Sequence, residues 1–587
     1  MSKFLKYFLA VIVGSMVSAF FFLMGIVIFV SILASSTSKE VKVADNSILL
    51  LDINGPIIER TSDDPFEQIM SELSGQVAPA GLNKILASIK KAKNDDRIKG
   101  IYIESGMVMA GYATIEEIRN ALIDFRESGK FVHSYAPVYT QSAYYLASAG
   151  DKIYLNPTGM LDFQGISASY TFYKGTLEKL GIEMQIFKHG EFKSAVEPFI
   201  LEKLSDAARH QSEVYLNSIW NHVLAKVADS RGLDIETVNQ TASQAPVLME
   251  DSLLLASGLI DGFRYKDEVI NELKSLTGIE EKDDLNAINV GKYSSVYLPG
   301  KKKGLEKNKI AIIYAEGAID GGSSGGIQSK DLSRTIREAR RDSSIKAVVL
   351  RINSPGGSGL GSEIIWREVK LTKEVKPVIV SMGDLAASGG YYIACAADSI
   401  VAHPSTLTGS IGVFGMIPNT ENLLKKIGVT TDRVKTNQFA DFPALDRPFT
   451  SGEKQLMQGY IERFYGHFLN RCADGRQTTV EAIDEVGEGR VWSGDNALAI
   501  NLVDKLGGID DAIAIAVGMA NLETYRLVEL PEVLTPIEQI MKSMSENASA
   551  RIGNLLLGEQ YQILKTINDL QTAHPVQARL PFDIRLN

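Results

Sequence analysis

The chain has 587 residues, with 61 Lys and Arg against 71 Asp and Glu, giving a formal net charge of −10. That balance excludes nucleic acid as the main partner, because phosphate binding needs a basic footprint. At 45% hydrophobic and 22% charged residues the composition is globular, and two cysteines, Cys395 and Cys472, make neither a disulfide framework nor a Cys-rich metal site.

The first element is a run of 28 uncharged residues from Tyr7 to Ala34. As a helix it would span about 42 Å, more than a bilayer core requires, and it far exceeds the roughly 7–15 apolar residues of a cleaved signal peptide. Residues 1–40 therefore read as an uncleaved signal anchor, with Lys3 and Lys6 favouring a cytoplasmic N-terminus. No second run of comparable length follows, so the remainder is expected as a soluble body on one side of one membrane.

Beyond the anchor the chain repeats itself. Ile98-Lys99 recurs as Ile345-Lys346, Tyr144-Tyr145 as Tyr391-Tyr392, Gly165 as Gly412 and Lys188 as Lys435, each pair 247 positions apart. Upstream the offset is 262, as Gly55 and Gly317 show, which places 15 extra residues in the first copy around Ser62–Ser74. Downstream it is 243, where Ala256-Ser257-Gly258-Leu259-Ile260-Asp261 echoes Ala499-Ile500-Asn501-Leu502-Val503-Asp504. The expected order is a first repeat over 41–272, a connection over 273–307 and a second repeat over 308–525. The connection carries Pro299-Gly300 and Lys301-Lys302-Lys303. A helical tail is expected over 526–587, with apolar residues at helical spacing from Pro536 to Leu570.

Within the second copy, Ile310–Tyr314, Ala347–Ile352 and Val378–Val380 are apolar runs bounded by Gly, Asn or Pro, as buried parallel strands require. Asp331–Arg341 and Gly361–Thr372 between them have helical spacing. The pattern predicts an α/β fold with parallel sheets and right-handed crossovers.

Two Gly-rich strings follow predicted strands: Asn353-Ser354-Pro355-Gly356-Gly357-Ser358 and Gly383-Asp384-Leu385-Ala386-Ala387-Ser388-Gly389-Gly390-Tyr391-Tyr392. The first can turn backbone N–H groups into a site; the second exposes a serine hydroxyl at a strand-to-helix turn. The competing reading makes Ser388 a plain helix N-cap. The repeat separates the two. Gln141 stands opposite Ser388, and the first copy lacks the Pro-Gly-Gly string after Ile103-Glu104-Ser105. Lys193, in Glu191-Phe192-Lys193-Ser194-Ala195-Val196, falls opposite Ala440. Each copy thus keeps a polar group that the other lacks, and the two together predict one composite site per chain. A lysine can serve as base if burial leaves it neutral near pH 7. A solvated surface lysine is the competing reading, and His189 and His403 are the rival bases.

Together with Leu407-Thr408-Gly409-Ser410-Ile411-Gly412 and Lys193-Ser194-Ala195-Val196-Glu197-Pro198, these strings resemble the long, duplicated form of the bacterial signal peptide peptidase SppA family, or protease IV. The resemblance implies a tandem duplication of a Clp-protease/crotonase-like superhelical domain. It implies a membrane-anchored serine endopeptidase with a Ser/Lys dyad, Ser388 the nucleophile and Lys193 the general base. It further implies the Gly357 and Gly389 amides as an oxyanion hole, Ser410 as a hydroxyl orienting the lysine amine, and no cofactor or metal. Homo-oligomers, tetramers among them, are implied, with the body on the periplasmic face of the inner membrane and signal-peptide remnants as substrates. The alternatives are an acyl-CoA enzyme of the crotonase fold, with a catalytic Glu or Asp near the Gly-rich loops, and an inactive membrane scaffold.

Overall fold

The computed structural model describes residues 41–61, 79–298, 306–321, 326–532 and 576–579, with helical positions between 7 and 25. Outside the described residues lie the extra segment around Ser62–Ser74, the Pro299-Gly300 turn with its three lysines, the Pro536–Leu570 pattern and most of the Tyr7–Ala34 run. Among the described residues no helix is long and apolar enough to cross a membrane.

The apolar runs of the second copy become strands Lys309–Glu316, Ile345–Ser354 and Val378–Ala387, and the helical patterns become helices Ser329–Arg341 and Gly359–Lys373. The strands pair in parallel, with Ile310 beside Ala347 and Val348 beside Val378. Their runs are continuous because both faces are covered. Ala311, Ile313 and Ala315 enter one buried cluster, whereas Ile310, Ile312 and Tyr314 enter another against helix Ile509–Met519.

The same sheet is built twice. In the first half the parallel order is Ala287–Asn289, Ser47–Leu51, Ile98–Ile103, Phe131–Tyr139, Lys152–Leu161, Gly262–Phe263. In the second it is Arg526–Leu530, Lys309–Glu316, Ile345–Ser354, Val378–Ala387, Ser399–Ala402, Lys505–Leu506. These registers move the expected boundaries. Helix Lys266–Thr277 runs through residue 272 and Ala287–Asn289 closes the first sheet, so much of 273–307 is part of the first unit instead of a connection. Arg526–Leu530 likewise completes the second sheet, and Val576–Arg579 is a strand, where a helical tail was expected.

Two features lock the halves together. A four-stranded sheet runs in the order Gly356–Ser358, Val576–Arg579, Phe414–Asn419, Glu183–Lys188, so a strand of the first half pairs antiparallel with one of the second. A buried charge cluster joins Arg351 to Glu59 at 2.8 Å and to Glu117 at 2.6 Å, all three nearly inaccessible to solvent.

Candidate active site

Strand Ile345–Ser354 ends in Pro355 and turns into Gly356–Ser358. Gly356 sits at φ +94°, and a Cβ there would lie 2.6 Å from Gly389 N. The Gly356 carbonyl accepts from Ile319 N–H at 2.9 Å, and Ser358 N–H donates to the Ile319 carbonyl at 2.8 Å. Because strand groups alternate in direction, the Gly357 N–H and C=O face the opposite side.

Strand Val378–Ala387 ends at Ser388, which takes φ 55°, ψ −112°. A non-glycine residue in that region carries strain of order 1–3 kcal/mol, sustained only where its surroundings fix it. Here Ser388 N–H donates to the Gly409 carbonyl and its own carbonyl accepts from Tyr392 N–H, both at 2.8 Å. The Ser388 hydroxyl does not cap helix Gly389–Ala394. The plain N-cap reading fails at this residue.

Lys193 arrives from the first half. Pairing of Glu183–Lys188 with Phe414–Asn419 sets Lys188 opposite Phe414, and the chain then turns so that Lys193 precedes the short helix Ser194–Val196. Its stem packs against glycines: a Cβ on Gly489 would lie 2.7 Å from Lys193 Cβ, and one on Gly412 3.3 Å from Cδ. Lys193 is completely buried. Nζ lies 2.9 Å from Ser388 Oγ, 3.0 Å from Ser410 Oγ and 3.3 Å from the Ser410 carbonyl oxygen. Burial alone, with no charged neighbour contributing, pushes the amine down to about 7. Ser410 holds φ 49°, donates from Oγ to the Gly489 carbonyl at 3.3 Å and is fixed through its N–H on Arg490 O at 2.7 Å.

The other candidates are engaged elsewhere. The His189 ring stacks on Tyr465 with centroids 4.1 Å apart, and His403 lies 3.8 Å from both Glu116 and Glu117. In the first half, Gln141 fills the place of the serine: its Nε2 donates to Tyr112 OH, and its Oε1 accepts from the N–H groups of Gln164 and Gly165. Two carboxylates at the Gly-rich loops, Glu59 and Asp384, bind Arg351 and Asn353, and Thr114, respectively. Among the described residues no group of three or more His, Cys, Asp or Glu side chains is placed to hold a metal ion. Cys395 and Cys472 are free and buried.

Sequence reasoning did not find Gly489, which comes from a segment nearly three hundred residues from Lys193, or the strand Val576–Arg579 beside Gly357. The Pro residues flanking that strand, Pro575 and Pro581, are the signal that could have marked an extended segment.

What the arrangement offers is a hydroxyl and a buried amine in contact, beside the two Gly-rich turns. Such a group can transfer acyl groups. A profile of peptidase family S49 matches residues 124–280 and 370–523. Protease 4 of Salmonella typhi is 35% identical over 553 residues, covering 91% of this chain and 87% of its own length. The chloroplastic serine protease SPPA of Arabidopsis thaliana is 33% identical over 548 residues, covering 92% and 78%. A solved ClpP1 structure from Listeria monocytogenes is 16% identical and covers 34% of this chain and 94% of its own, with a TM-score of 0.24.

Proposed function

This chain belongs to peptidase family S49, the serine proteases that include Protease 4 and its SppA homologues, and from that premise we propose that it is an endopeptidase working through Ser388 and Lys193. The contact of 2.9 Å between Lys193 Nζ and Ser388 Oγ, inside a fully buried pair, carries the reading.

A neutral amine has two N–H donors and one lone pair. The two contacts from Nζ to Ser410 use the donors, which leaves the lone pair for the Ser388 hydroxyl. Ser388 Oγ then attacks a peptide carbonyl as its proton passes to Lys193. The Gly357 and Gly389 N–H groups stabilise the oxyanion, and Lys193 protonates the leaving amine before activating the water that hydrolyses the acyl ester. Ser410 is a positioning residue that points the lone pair.

Each half is read as a Clp-protease/crotonase-like superhelical unit. The uncharged run Tyr7–Ala34 anchors the protein in the inner membrane with its body in the periplasm, where homo-oligomers degrade signal-peptide remnants and other apolar peptides. The family membership and the length of that run support this placement. No observation favours the acyl-CoA or scaffold alternatives, since Glu59 and Asp384 are engaged in structural bonds.

The test is turnover of a fluorogenic Leu- or Ala-rich peptide by the full chain in detergent. Ser388→Ala and Lys193→Ala are each expected to fall at least about a thousandfold while the fold survives. Turnover that persists in both variants would end the assignment at this site.

A further inference from the structure

We propose that Gln211 is a positioning residue for the pair Ser388 and Lys193: its buried amide binds the chain on both sides of Lys193 and ties it to the strand beside Ser410. The inference rests on the peptidase reading of that pair and names the group that keeps the amine and the hydroxyl in contact.

Gln211 lies in helix Asp206–Arg231 of the first half and is completely inaccessible to solvent. Its Nε2 donates to the Phe192 carbonyl at 3.0 Å and to Ser194 Oγ at 3.1 Å, so one NH2 group grips the residues immediately before and after Lys193. Its Oε1 accepts from Val491 N–H at 3.1 Å. The two ends of the amide cannot be exchanged, because reversal would set its NH2 against the Val491 N–H.

Val491 belongs to the second half. Strand Val491–Ser493 pairs antiparallel with Leu407–Gly409, Val491 opposite Gly409. The Gly409 carbonyl accepts from Ser388 N–H, and the carbonyl of Arg490, next to Val491, accepts from Ser410 N–H. A single side chain thus spans the loop of the amine and the strand pair that holds both hydroxyls. The helix that carries it is fixed at two further points. Ser218 Oγ lies 2.7 Å from Ser493 Oγ, and the Glu197 carboxylate, just past Lys193, accepts from Ser205 N–H and Oγ at the helix N-cap.

The hydrogen bonds of Gln211 reach neither Lys193 Nζ nor Ser388 Oγ, so it acts through the loop. A misplacement of about 1 Å at a catalytic group can cost about a hundredfold in rate. Loosening the loop would also admit water to the amine. The charged groups on the elements that meet at Lys193 are Glu191 and Glu197 of its own loop, Glu488 and Arg490 of the turn at Gly489, and Arg209 and His210 next to Gln211. None of them sets the state of the amine, which burial alone holds down, so solvent entry would move it up toward the ordinary lysine value.

The experiment compares Gln211→Leu, similar in size and without polar atoms, with the unsubstituted full chain in detergent. It reads kcat and KM for the fluorogenic peptide across pH, with circular dichroism and thermal unfolding on the same samples. The expected result is a kcat lower by about ten- to a hundredfold, a KM within about twofold, and an acid limb displaced upward by about half a pH unit or more. Ser194→Ala, which removes one of the two acceptors, is expected to lose about two- to fivefold in kcat with the limb moved the same way. A folded Gln211→Leu with the unsubstituted kcat, or with a lower kcat and an unmoved limb, would overturn the positioning role, since a merely structural loss reduces the active fraction and leaves the limb in place. Should Gln211→Leu not fold, Ser194→Ala decides by the same readouts, and an unsubstituted rate and limb there would overturn the role. An unsubstituted chain that does not turn over the peptide, or turnover that survives in Ser388→Ala, would instead overturn the peptidase reading beneath it.

Discussion

Lys193 is held without a carboxylate partner, so desolvation decides its state. Its folded value of about 7 lies below the ordinary lysine value of 10.5, which fixes the sign of the stability effect. Below pH 7 the amine must be charged in a buried site, and the protein carries a penalty of about 5 kcal/mol. That penalty fades as pH rises from about 7 to 10.5, where the unfolded chain also loses the proton. Lys193→Met is therefore expected to be inactive yet more stable than the unsubstituted protein at pH 6, with the advantage shrinking by pH 10. Thermal unfolding midpoints across that range check it. At this scale the sequence was informative for a specific reason: Ser388 faces Gln141 and Lys193 faces Ala440 across the repeat, so the copies report on each other. Ser410 was named through the family resemblance, whereas its positive φ and its grip on Gly489 arise from chain far away in sequence.

Strand Glu183–Lys188 brings Lys193 to the other half, and the interface behind it depends on Arg351. This guanidinium is buried between Glu59 and Glu117 of the first half, and burial outweighs the attraction of Arg351 to lift the Glu59 carboxyl to about 6. Arg351→Met would leave both carboxylates without their guanidinium partner, a loss expected to cost about 3–5 kcal/mol at pH 7. Because Arg351 holds the Glu59 carboxyl down, its removal lifts that carboxyl further above 6, so the deficit should narrow as pH falls from 7 to about 6, where the variant's Glu59 is already protonated and that of the unsubstituted protein only in part. Denaturant midpoints at pH 7 and pH 5 measure the difference. The long apolar strands were legible because two covered faces leave continuous hydrophobic runs. Ala287–Asn289, Arg526–Leu530 and Val576–Arg579 were not. Segments of three to five residues carry too few positions to show a period, and their pairing is set by distant partners.

Across the whole molecule, duplication followed by divergence left one half with the amine and the other with the hydroxyl, and the fold closes them into one site within a single chain. Mixing Ser388→Ala with Lys193→Ala protein is accordingly expected to restore no peptidase activity above the sum of the two, since neither variant holds a complete dyad. Recovery on mixing would show that neighbouring chains exchange these residues. The parallel α/β architecture was legible from the repeat, whereas the repeat alone left neighbouring chains able to supply either residue of the pair; the unit boundaries were not legible, because edge strands return from beyond the repeated core. The central claim is that a neutral, buried Lys193 activates Ser388. The pH dependence of kcat/KM for the fluorogenic peptide tests it most directly, measured on the unsubstituted chain and on His189→Asn and His403→Asn. The account predicts a rate that rises through an apparent pKa of about 7 and levels off above it, with the same limb in both histidine variants. A limb that disappears in either histidine variant, or a rate that falls as pH rises through 7, would contradict it.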